Sequence, residues 1–393
     1  MVGAYTPENL PNDIVSKVSR GLTKVNAEGE ILPDLASSWT VKENGKLYEF
    51  KLNNNITFSD GKKFDSEDVV YSFSNVELNR PSTDTVTFKL NDTYSPFLVT
   101  VSRPILKKDL SGIGEYSLAD IELNGNFVKS LRIVSSKNKF TTEQYQFYPS
   151  EEAVKLAFVL GEVSEVRDIT DTSFKNGNFK EFKNAKIEKN ANYNKLVTVF
   201  YDTTDPILSD KKIRNALTYA LPDKFPQGER SIVSYHPKSK FRSLEVDTRS
   251  QDVTHAGALL QASSASSSAS VEINLTVLEK YKSTADIVAK EWGKAGIKTI
   301  ISVVPSKPDR FQAFLGDFTI PKDPDQYTLW HSDQANNITK FRNLRIDKLL
   351  EDGRKITNVE ERKDIYSDFQ KYLLDDSPAS FLYFPYSYTV TRE

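Results

Sequence analysis

A strand–helix–strand pattern over residues 272–304 constrains the fold of this chain more than any other feature. Glu272 to Leu278 alternates apolar and polar residues, and Lys298 to Val304 is a second run rich in β-branched residues. The residues between them carry an apolar face at helical spacing, and Gly296 ends that helix. A connection of this kind joins neighbouring parallel strands, so the pattern predicts an α/β fold. It carries no glycine-rich dinucleotide fingerprint, and we interpret it as scaffold.

A second organised stretch, residues 31–73, is typical of two strands followed by a helix. Residues 47–52 alternate apolar and polar side chains after Asn44-Gly45, a pair that tolerates the positive φ of a tight turn. Asp65 or Ser66 is suited to cap the helix that follows. The apolar face predicted for that helix consists of Val69, Val70 and Phe73.

Length and composition limit the possible classes of protein. At 393 residues the chain is too long for one ordinary core, so two or more lobes are expected. The formal net charge of -2 leaves no electrostatic footprint for nucleic acid. A Ser-rich run over residues 262–270 cannot pack a core and is predicted to be a flexible surface loop.

The residue types that usually hold cofactors are scarce. There is no cysteine, which excludes disulfides and thiol chemistry, and the three histidines have no ligand-like spacing. Gly112-Ile113-Gly114 lacks the third glycine and the strand–helix frame of a phosphate-binding loop. We therefore expect no cofactor and no metal site.

Several short motifs follow one another in a fixed order along the chain. They are Pro33-Asp34-Leu35-Ala36 before Trp39, Phe50-Lys51-Leu52, Phe58-Ser59-Asp60-Gly61 and Ser66-Glu67-Asp68-Val69-Val70-Tyr71-Ser72. Two predicted helices, Glu151 to Leu160 before Gly161 and Arg214 to Ala220, continue the series. The series resembles the signature of the bacterial extracellular solute-binding proteins, family 5. That family includes the oligopeptide- and dipeptide-binding proteins of ABC transporters.

The resemblance implies a bilobal α/β fold of the periplasmic-binding-protein type (type II, cluster C) with discontinuous lobes. We expect residues 1–38, 113–215 and 377–393 to form lobe I, and residues 216–376 to form lobe II. The long excursion that builds an extra lobe in the family is shortened here. Residues 39–112 are therefore expected to form only a reduced extra subdomain packed on lobe I.

Residues 323–337 have the most potential to bind a ligand. They concentrate turn residues, aromatic rings and side-chain amides, which suit a wall that stacks on a small molecule and hydrogen-bonds it. The ligand-binding residues predicted here are Asp323, Tyr327, Trp330, Ser332 and Asn336. The alternative is a polar loop whose Trp330 belongs to the core.

The family's peptide binders carry an acidic residue just before this stretch, where it pairs with the ligand's α-amino group. Aligned on Asp323-Pro324, that position is Ile320 in this chain. Asp317 or Asp323 could substitute after a small shift. If neither does, a free peptide N-terminus would not be recognised in this way.

The resemblance also places two other segments near the ligand. Arg20 and Gly21 stand where the family usually has an acidic residue and a glycine, although a surface arginine before a turn glycine explains them equally well. The aromatic strand over residues 380–390 is expected to return to the first lobe. Because side chains alternate along a strand, only one set of its aromatics can face the ligand, and we predict Phe384 and Tyr386.

The predicted function is that of an extracytoplasmic substrate-binding protein of an ABC importer. It would capture peptides in a cleft between the lobes and deliver them to the permease subunits, acting as a monomer and not as an enzyme. The alternatives keep the fold and change the ligand to an oligosaccharide, an opine or a metal chelate, or make the protein a sensor or chaperone. A hydrolase would need a His–carboxylate pair in the cleft, for which His331 near Asp333 is the only suggestive sequence neighbourhood.

The expected location follows from the resemblance. No apolar run approaches the roughly 20 residues needed to cross a bilayer. The family is periplasmic or tethered to the cell surface as a lipoprotein. We therefore expect an export signal or lipid anchor ahead of Met1.

Overall fold

The computed structural model describes residues 1–58, 61–107, 110, 112–243, 245–246, 249–264 and 271–393. Ser59 and Asp60 of the motif Phe58-Ser59-Asp60-Gly61 lie outside the described residues, as do positions 265–270 of the Ser-rich run. The chain divides into two compact units. Unit 1 comprises Met1–Asn26, Glu30–Asn190 and Ser387–Glu393, and unit 2 comprises Ala27–Gly29 and Ala191–Tyr386.

These units divide the chain differently from the predicted lobes. Residues 191–215 and 377–386, which we expected in lobe I, lie in unit 2. They do so because both segments contribute strands that pair within unit 2. Residues 39–112, the predicted subdomain, lie in unit 1.

The helices of the described part of the chain are α1 Asn12–Val18, α2 Phe97–Thr100, α3 Glu151–Leu160, α4 Lys211–Tyr219, α5 Val253–Gln261, α6 Lys282–Lys294, α7 Tyr327–Trp330, α8 Leu344–Lys355 and α9 Val359–Asp376. The strands are β1 Thr23–Val25, β2 Ile31–Pro33, β3 Ala36–Lys42, β4 Leu47–Leu52, β5 Val76–Ser82, β6 Thr85–Leu90, β7 Tyr116–Asn124, β8 Phe127–Ser135, β9 Thr142–Gln146, β10 Glu165–Ile169, β11 Ser173–Phe174, β12 Gly177–Asn178, β13 Ala185–Ala191, β14 Lys195–Tyr201, β15 Gly228–Arg230, β16 Val271–Leu278, β17 Ile297–Val304, β18 Ala313–Thr319 and β19 Ala379–Arg392.

Unit 1 contains a four-stranded antiparallel sheet in the order β3-β4-β6-β5. The predicted alternation in β4 is confirmed, since Tyr48, Phe50 and Leu52 are buried. Phe50 meets Phe88 of β6 edge to face, with ring centroids 5.7 Å apart. The predicted turn before β4 is also confirmed, with Asn44 at φ 53°.

The helix predicted after Asp65 is not formed. Asp65 caps a single 3₁₀ turn, Ser66–Asp68, in a reciprocal capping box. The chain then leaves helical geometry at Val69, and the side chain of Val70 is exposed. The successive β-branched residues Val69 and Val70 disfavour a helix. In addition, the Arg80 guanidinium donates hydrogen bonds to the carbonyl groups of Ser66 and Val69, which a longer helix would use for its own backbone bonds.

A three-stranded antiparallel sheet, β7-β8-β9, packs with α1 in the same unit. The two glycines before β7 lie directly against α1. A Cβ on Gly114 would be 2.0 Å from the carbonyl oxygen of Lys17, and one on Gly112 would be 2.3 Å from that of Val18. These glycines are therefore required by close backbone packing.

Unit 2 is built on a mixed sheet, so the predicted α/β class is confirmed. Strand β14 lies between β18 and the first part of β19 and is antiparallel to both. Strand β16 is parallel to both β18 and β17, and α6 connects it to β17 as predicted. One face of β14 packs in the core with α4 and α6, and the other face packs in the core with α8 and α9.

Side-chain caps mark the starts of three helices. The side chains of Ser150, Asp210 and Asn358 each accept backbone N–H bonds at the starts of α3, α4 and α9. Gly161 ends α3 at φ 80°, a backbone conformation that glycine adopts at little cost. Local sequence signals therefore fix where these helices begin and end.

Candidate functional site

The strongest candidate site in the described part of unit 2 lies on an aromatic face of its sheet. Phe200 of β14 stands opposite Phe314 of β18, and Leu196 stands opposite Phe318. Because side chains alternate across a strand, the three phenylalanines project from the same face. The ring centroid of Phe200 is 6.2 Å from that of Phe314 and 6.0 Å from that of Phe318. The antiparallel register thus produces one apolar wall.

Trp330, at the end of α7, forms a second wall, and a buried amide fixes its orientation. Gln326 Oε1 accepts a hydrogen bond from the indole Nε1 at 2.9 Å. The same Oε1 accepts from Ser234 Oγ at 2.9 Å, and Gln326 Nε2 donates to the Ser234 carbonyl at 2.8 Å. The indole also meets Phe381 edge to face at 6.0 Å between centroids. Since every polar group here has a partner, the ring is held in one position.

The loop after α7, residues 331–341, is tied to the end of β14. The Thr203 N–H donates to the Thr339 carbonyl at 2.9 Å, and Lys340 Nζ lies 2.5 Å from Asp202 Oδ2. Thr339 Oγ1 in turn donates to the side chain of the buried Asn337 at 2.7 Å. These bonds hold the loop over the aromatic face.

The sheet face, α7 and the loop line a half-open cavity of about 220 Å³, which we call the aromatic cavity. Its lining residues are Phe200, Lys307, Phe314, Asp317, Phe318, Leu329, Trp330, Asn336, Ile338 and Thr339. Most of this lining is apolar, with a few polar groups and two opposite charges. Such a chamber suits a bulky apolar group of an organic ligand.

The two charged residues of the lining differ in their surroundings. Asp317 pairs with Lys280 at 3.0 Å and its side chain is mostly buried. Burial, and then the charge of Asp317, raises the pKa of the neighbouring Tyr281. Lys307 is exposed and has no ion-pair partner within the described ranges. The ammonium of Lys307 is thus available to an anionic ligand group.

The structure brings two of the predicted ligand residues, Trp330 and Asn336, to the aromatic cavity. Tyr327 and Ser332 lie beside it without lining it. The Tyr327 ring stacks on His331 at 4.1 Å between centroids, and the Arg354 guanidinium lies 4.0 Å from the centroid of the same tyrosine ring. The Ser332 N–H donates to Asp347 at 2.8 Å.

Asp323 does not reach the cavity, because a buried arginine holds its carboxylate. Its Oδ1 lies 2.7 Å from Arg362 Nη2, and its Oδ2 lies 3.2 Å from Nη1. Burial acts to lower the pKa of Arg362, but the Asp323 charge outweighs it and the pKa is raised. Ile320 is buried in the core beside α8 and α9. Of the carboxylates considered from the sequence, only Asp317 lines the cavity.

The two predicted residues of β19 also lie outside the cavity lining. Phe384 is fully buried and meets Tyr193 edge to face at 5.2 Å between centroids. Tyr386 is half-buried, and its N–H donates to the Gln227 carbonyl at 2.8 Å. Phe384 lies in the core because β15 pairs with this part of β19, where Glu229 stands opposite Phe384.

Arg20 and Gly21 lie in unit 1. Arg20 Nη1 is 3.1 Å from Asp34 Oδ1, and its buried Nε has no hydrogen-bond partner among the described residues. Burial raises the pKa of Asp34 despite the attraction of Arg20. A Cβ on Gly21 would lie 2.5 Å from the carbonyl carbon of Ser102. Gly21 therefore has a packing role, and a ligand role for Arg20 stays a prediction.

Sequence reasoning missed Phe200, Phe314, Phe318 and Lys307. The even spacing of Phe314 and Phe318 indicates that both rings share one face of a strand. No local signal indicates that Phe200, more than a hundred residues earlier, pairs with them. That contact depends on the long-range register of β14 and β18.

His331 contacts Asp333, the neighbour considered from the sequence, through the Asp333 backbone, and the carboxylate beside its ring is that of Glu351. His331 is buried, and its Nδ1 accepts the backbone N–H of Asp333 at 3.2 Å. Its Nε2 lies 3.4 Å from Glu351. Among the residues that the structure describes, no group of three His, Cys, Asp or Glu side chains is arranged to hold a metal ion.

The comparisons with known proteins confirm the resemblance predicted from the sequence. Residues 30–80 match the model of the bacterial extracellular solute-binding proteins, family 5. The oligopeptide-binding protein AppA of Bacillus subtilis is 23% identical over 99% of this chain and 84% of its own length. The similarity therefore extends over nearly the whole chain.

Solved structures share the same fold. NikZ from Campylobacter jejuni, in complex with Ni(L-His), has a TM-score of 0.78 at 21% identity and covers 99% of this chain and 91% of its own. AppA from Bacillus subtilis, in complex with a nonapeptide, has a TM-score of 0.74 at 19% identity over 100% and 92% of the two chains. The chain has the α/β fold of the periplasmic binding proteins.

Proposed function

We propose that this chain, a relative of the family 5 extracellular solute-binding proteins, is the substrate-binding protein of an ABC importer that captures peptides. The observation that carries the proposal is the aromatic cavity, which combines aromatic walls with the polar groups of Asn336 and Thr339. The name of the Bacillus subtilis relative adds support, since that protein binds oligopeptides. In this proposal the protein holds its ligand without transforming it.

The ligand would place one bulky apolar side chain in the aromatic cavity. A chamber of about 220 Å³ is too small for a whole oligopeptide and suits one large group. Lys307 would attract a carboxylate of the ligand, and Asp317 would attract an amino group. The remainder of the ligand would lie between the lobes and contact the predicted residues Arg20 and Gly21.

A second candidate ligand is a non-peptide molecule. The observation that favours it is the burial of Ile320 together with the pairing of Asp323 with Arg362, which leaves Asp317 as the carboxylate at the cavity. The structural neighbour from Campylobacter jejuni holds a nickel–histidine complex, so this fold accommodates a small chelate. An opine or an oligosaccharide would use the same aromatic wall, and a sensor or chaperone would use the same site for another purpose.

The proposed location is outside the cytoplasmic membrane, with the permease subunits of the transporter as partners and the protein acting as a monomer. The description of the matching family as extracellular supports this location. In the described ranges, no helix is long and apolar enough to cross a bilayer. Tethering by a lipid anchor is part of the proposal.

The test is mass spectrometry of the small molecules that leave the purified protein on denaturation, with buffer as the control. A ladder of short peptides with a shared aromatic or large aliphatic residue is expected. One defined non-peptide compound would favour the second candidate instead. If nothing is released, titration with tripeptides that contain one phenylalanine should raise the melting temperature, because a ligand that binds only the folded state stabilises it.

Variants at the cavity sharpen this test. Asn336→Ala and Lys307→Ala change exposed side chains of the lining and should weaken tripeptide binding about tenfold each, which is about 1.4 kcal/mol. Asn91→Ala changes an exposed asparagine of unit 1 and should leave binding unchanged. Equal affinity in all three variants would show that the ligand lies elsewhere.

A further inference from the structure

The loop over residues 305–312, which connects β17 to β18, brings one lysine to the aromatic cavity. Pro308 follows Lys307 directly, and a proline restricts the backbone of the residue before it to extended conformations. Further along the loop, the Phe311 ring packs against the Phe314 wall, with centroids 5.6 Å apart. The backbone of Lys307 is therefore restrained on both sides, and its side chain lines the cavity.

The polar groups on this side of the cavity are hydrogen-bond donors without partners. Among the described residues, no carboxylate lies within ion-pair distance of the Lys307 ammonium, not even that of Asp309 in the same loop. The side-chain amide of Asn336 also lines the cavity and has no hydrogen-bond partner in the described ranges. A ligand carboxylate can accept from both groups, with Lys307 supplying the charge and Asn336 a neutral donor.

The positions considered for a ligand's α-amino group are less available. Ile320 carries no carboxylate and is buried in the core. The Asp323 carboxylate is held by Arg362 through both of its oxygens. Asp317 already pairs with Lys280 at 3.0 Å. A ligand ammonium would thus have to share a carboxylate with a cation of the chain, whereas a ligand carboxylate meets a lysine that has no partner among the described residues.

The size of the cavity relates the carboxylate to the apolar group of the ligand. A volume of about 220 Å³ holds one large side chain, and Lys307 lines the same volume. A carboxylate at Lys307 therefore lies close, along the ligand's covalent structure, to the side chain that fills the cavity. In a linear peptide with apolar side chains, only the last residue carries a carboxylate.

We propose that the aromatic cavity binds the carboxyl-terminal residue of a peptide. The side chain of that residue packs on the aromatic wall, and its α-carboxylate pairs with Lys307 and accepts from Asn336. The substrate class is then peptides that end in a large apolar residue with a free carboxylate. This inference rests on the proposed function, because it takes a peptide as the ligand. The amino end of the peptide leaves the cavity, so the cavity does not select its charge.

The first test varies the ligand and leaves the whole protein unchanged. Titration calorimetry compares Gly-Gly-Phe, Gly-Phe-Gly and Phe-Gly-Gly, which share one composition and one net charge. Gly-Gly-Phe should bind about tenfold or more tightly than the other two, because only its phenylalanine carries the carboxylate. Gly-Gly-Phe-amide should bind about tenfold more weakly than Gly-Gly-Phe. Acetyl-Gly-Gly-Phe should bind as tightly as Gly-Gly-Phe.

The second test assigns the carboxylate to Lys307. In Lys307→Gln, Gly-Gly-Phe and its amide should bind equally, because the loss of the lysine and the loss of the carboxylate remove the same interaction. Arg310→Gln removes a cation of the same loop that does not line the cavity, so it should keep the tenfold difference. Lys307→Arg retains the charge and should also keep most of the difference.

The outcomes separate this inference from the proposed function. Equal affinity for the three tripeptides, tightest binding of Phe-Gly-Gly, or loss of binding on acetylation would overturn the inference and leave a peptide-binding protein. A carboxylate effect that persists in Lys307→Gln would overturn it as well. If none of the tripeptides binds and the purified protein releases no peptide, the proposed function itself is wrong.

Discussion

Gly316 determines the shape of the aromatic cavity at the scale of a single residue. A Cβ at this position would lie 2.6 Å from an edge atom of the Phe314 ring, so the edge of that ring lies directly against the glycine. We expect Gly316→Ala to push that ring into the cavity, weaken ligand binding by at least about tenfold, and cost about 1–3 kcal/mol of stability. Calorimetric titration and denaturant unfolding measure the two effects.

The control for this prediction is Gly257→Ala in α5, where nothing lies within 4 Å of an added Cβ. That change should raise stability by about 0.5–1 kcal/mol, because alanine is the better helix former. It should leave ligand affinity as it was. Unchanged affinity in Gly316→Ala would mean that the Phe314 wall does not contact the ligand.

Asp323 is a predicted ligand residue whose carboxylate pairs with the buried Arg362, and its ligand role stays a prediction that a variant can test. Asp323→Asn leaves the Arg362 guanidinium buried without its charge partner, and breaking a buried pair costs about 3–5 kcal/mol. Affinity measured on the folded fraction should not change. The surface change Glu360→Gln breaks an exposed pair and should barely move the melting temperature. Normal stability with lost affinity in Asp323→Asn would restore the ligand role.

These residues show what sequence could and could not predict about the site. Trp330 and Asn336, which line the aromatic cavity, were predicted because aromatics and amides cluster in one turn-rich segment, and local composition is visible in a sequence; their ligand role stays a prediction. The roles of Asp323 and Phe384 were not visible, because they depend on Arg362 of α9 and on the pairing of β19 with β15. Whether a carboxylate such as that of Asp323 is available to a ligand depends on ion-pair partners that are distant in the sequence.

At the scale of elements, the loop over residues 331–341 depends on the ionised Asp202. Burial acts to raise the pKa of Asp202, but the bonds from Lys340 and Thr204 outweigh it and the pKa is lowered. A carboxylate whose folded-state pKa is lowered contributes stability above its unfolded-state pKa of about 4 and loses it as pH falls toward the folded value. The loop should therefore loosen on acidification, not on alkalinisation.

The measurement compares the natural chain with Asp202→Asn across pH. The free energy of unfolding of the natural chain should exceed that of the variant at pH 6, and the difference should shrink as pH falls through about 4 toward 3. Thr204→Val removes one supporting bond to the carboxylate and should reduce the difference without abolishing it. A difference that stays constant over this range would show that the Lys340 pair does not hold the loop.

Whole elements were predictable where capping and periodicity agree, as in α3 and in the β16–α6–β17 unit. The helix predicted over residues 66–73 was wrong because of a residue later in the chain. The Arg80 guanidinium donates hydrogen bonds to carbonyl groups that the predicted helix needed. Such competition from a later side chain is not a local property. It explains why the cap at Asp65 was right and the helix beyond it was wrong.

At the scale of the molecule, the sequence indicated more than one compact unit but not their boundaries. Strand β19 passes from unit 2 into unit 1 between Tyr386 and Ser387 with no glycine at that point. In the sequence it is one continuous aromatic strand. The one mark near this boundary is Pro385, but β19 runs through it without a break, so the sequence does not distinguish this point from the rest of the strand.

If both units contact the ligand, as proposed, then ligand binding should slow hydrogen exchange in segments of both units. Exchange should slow around Trp330 and Asn336 in unit 2 and also around Arg20 and Gly21 in unit 1, when a bound tripeptide is compared with the free protein. At a ligand concentration about 100 times Kd, the stabilisation available is about 2.7 kcal/mol, enough to slow both segments measurably. Asn336→Ala should reduce both effects together, because one bound ligand causes them. Slowing confined to unit 2 would instead mean that the aromatic cavity binds by itself, and the predicted roles of Arg20 and Gly21 would be wrong.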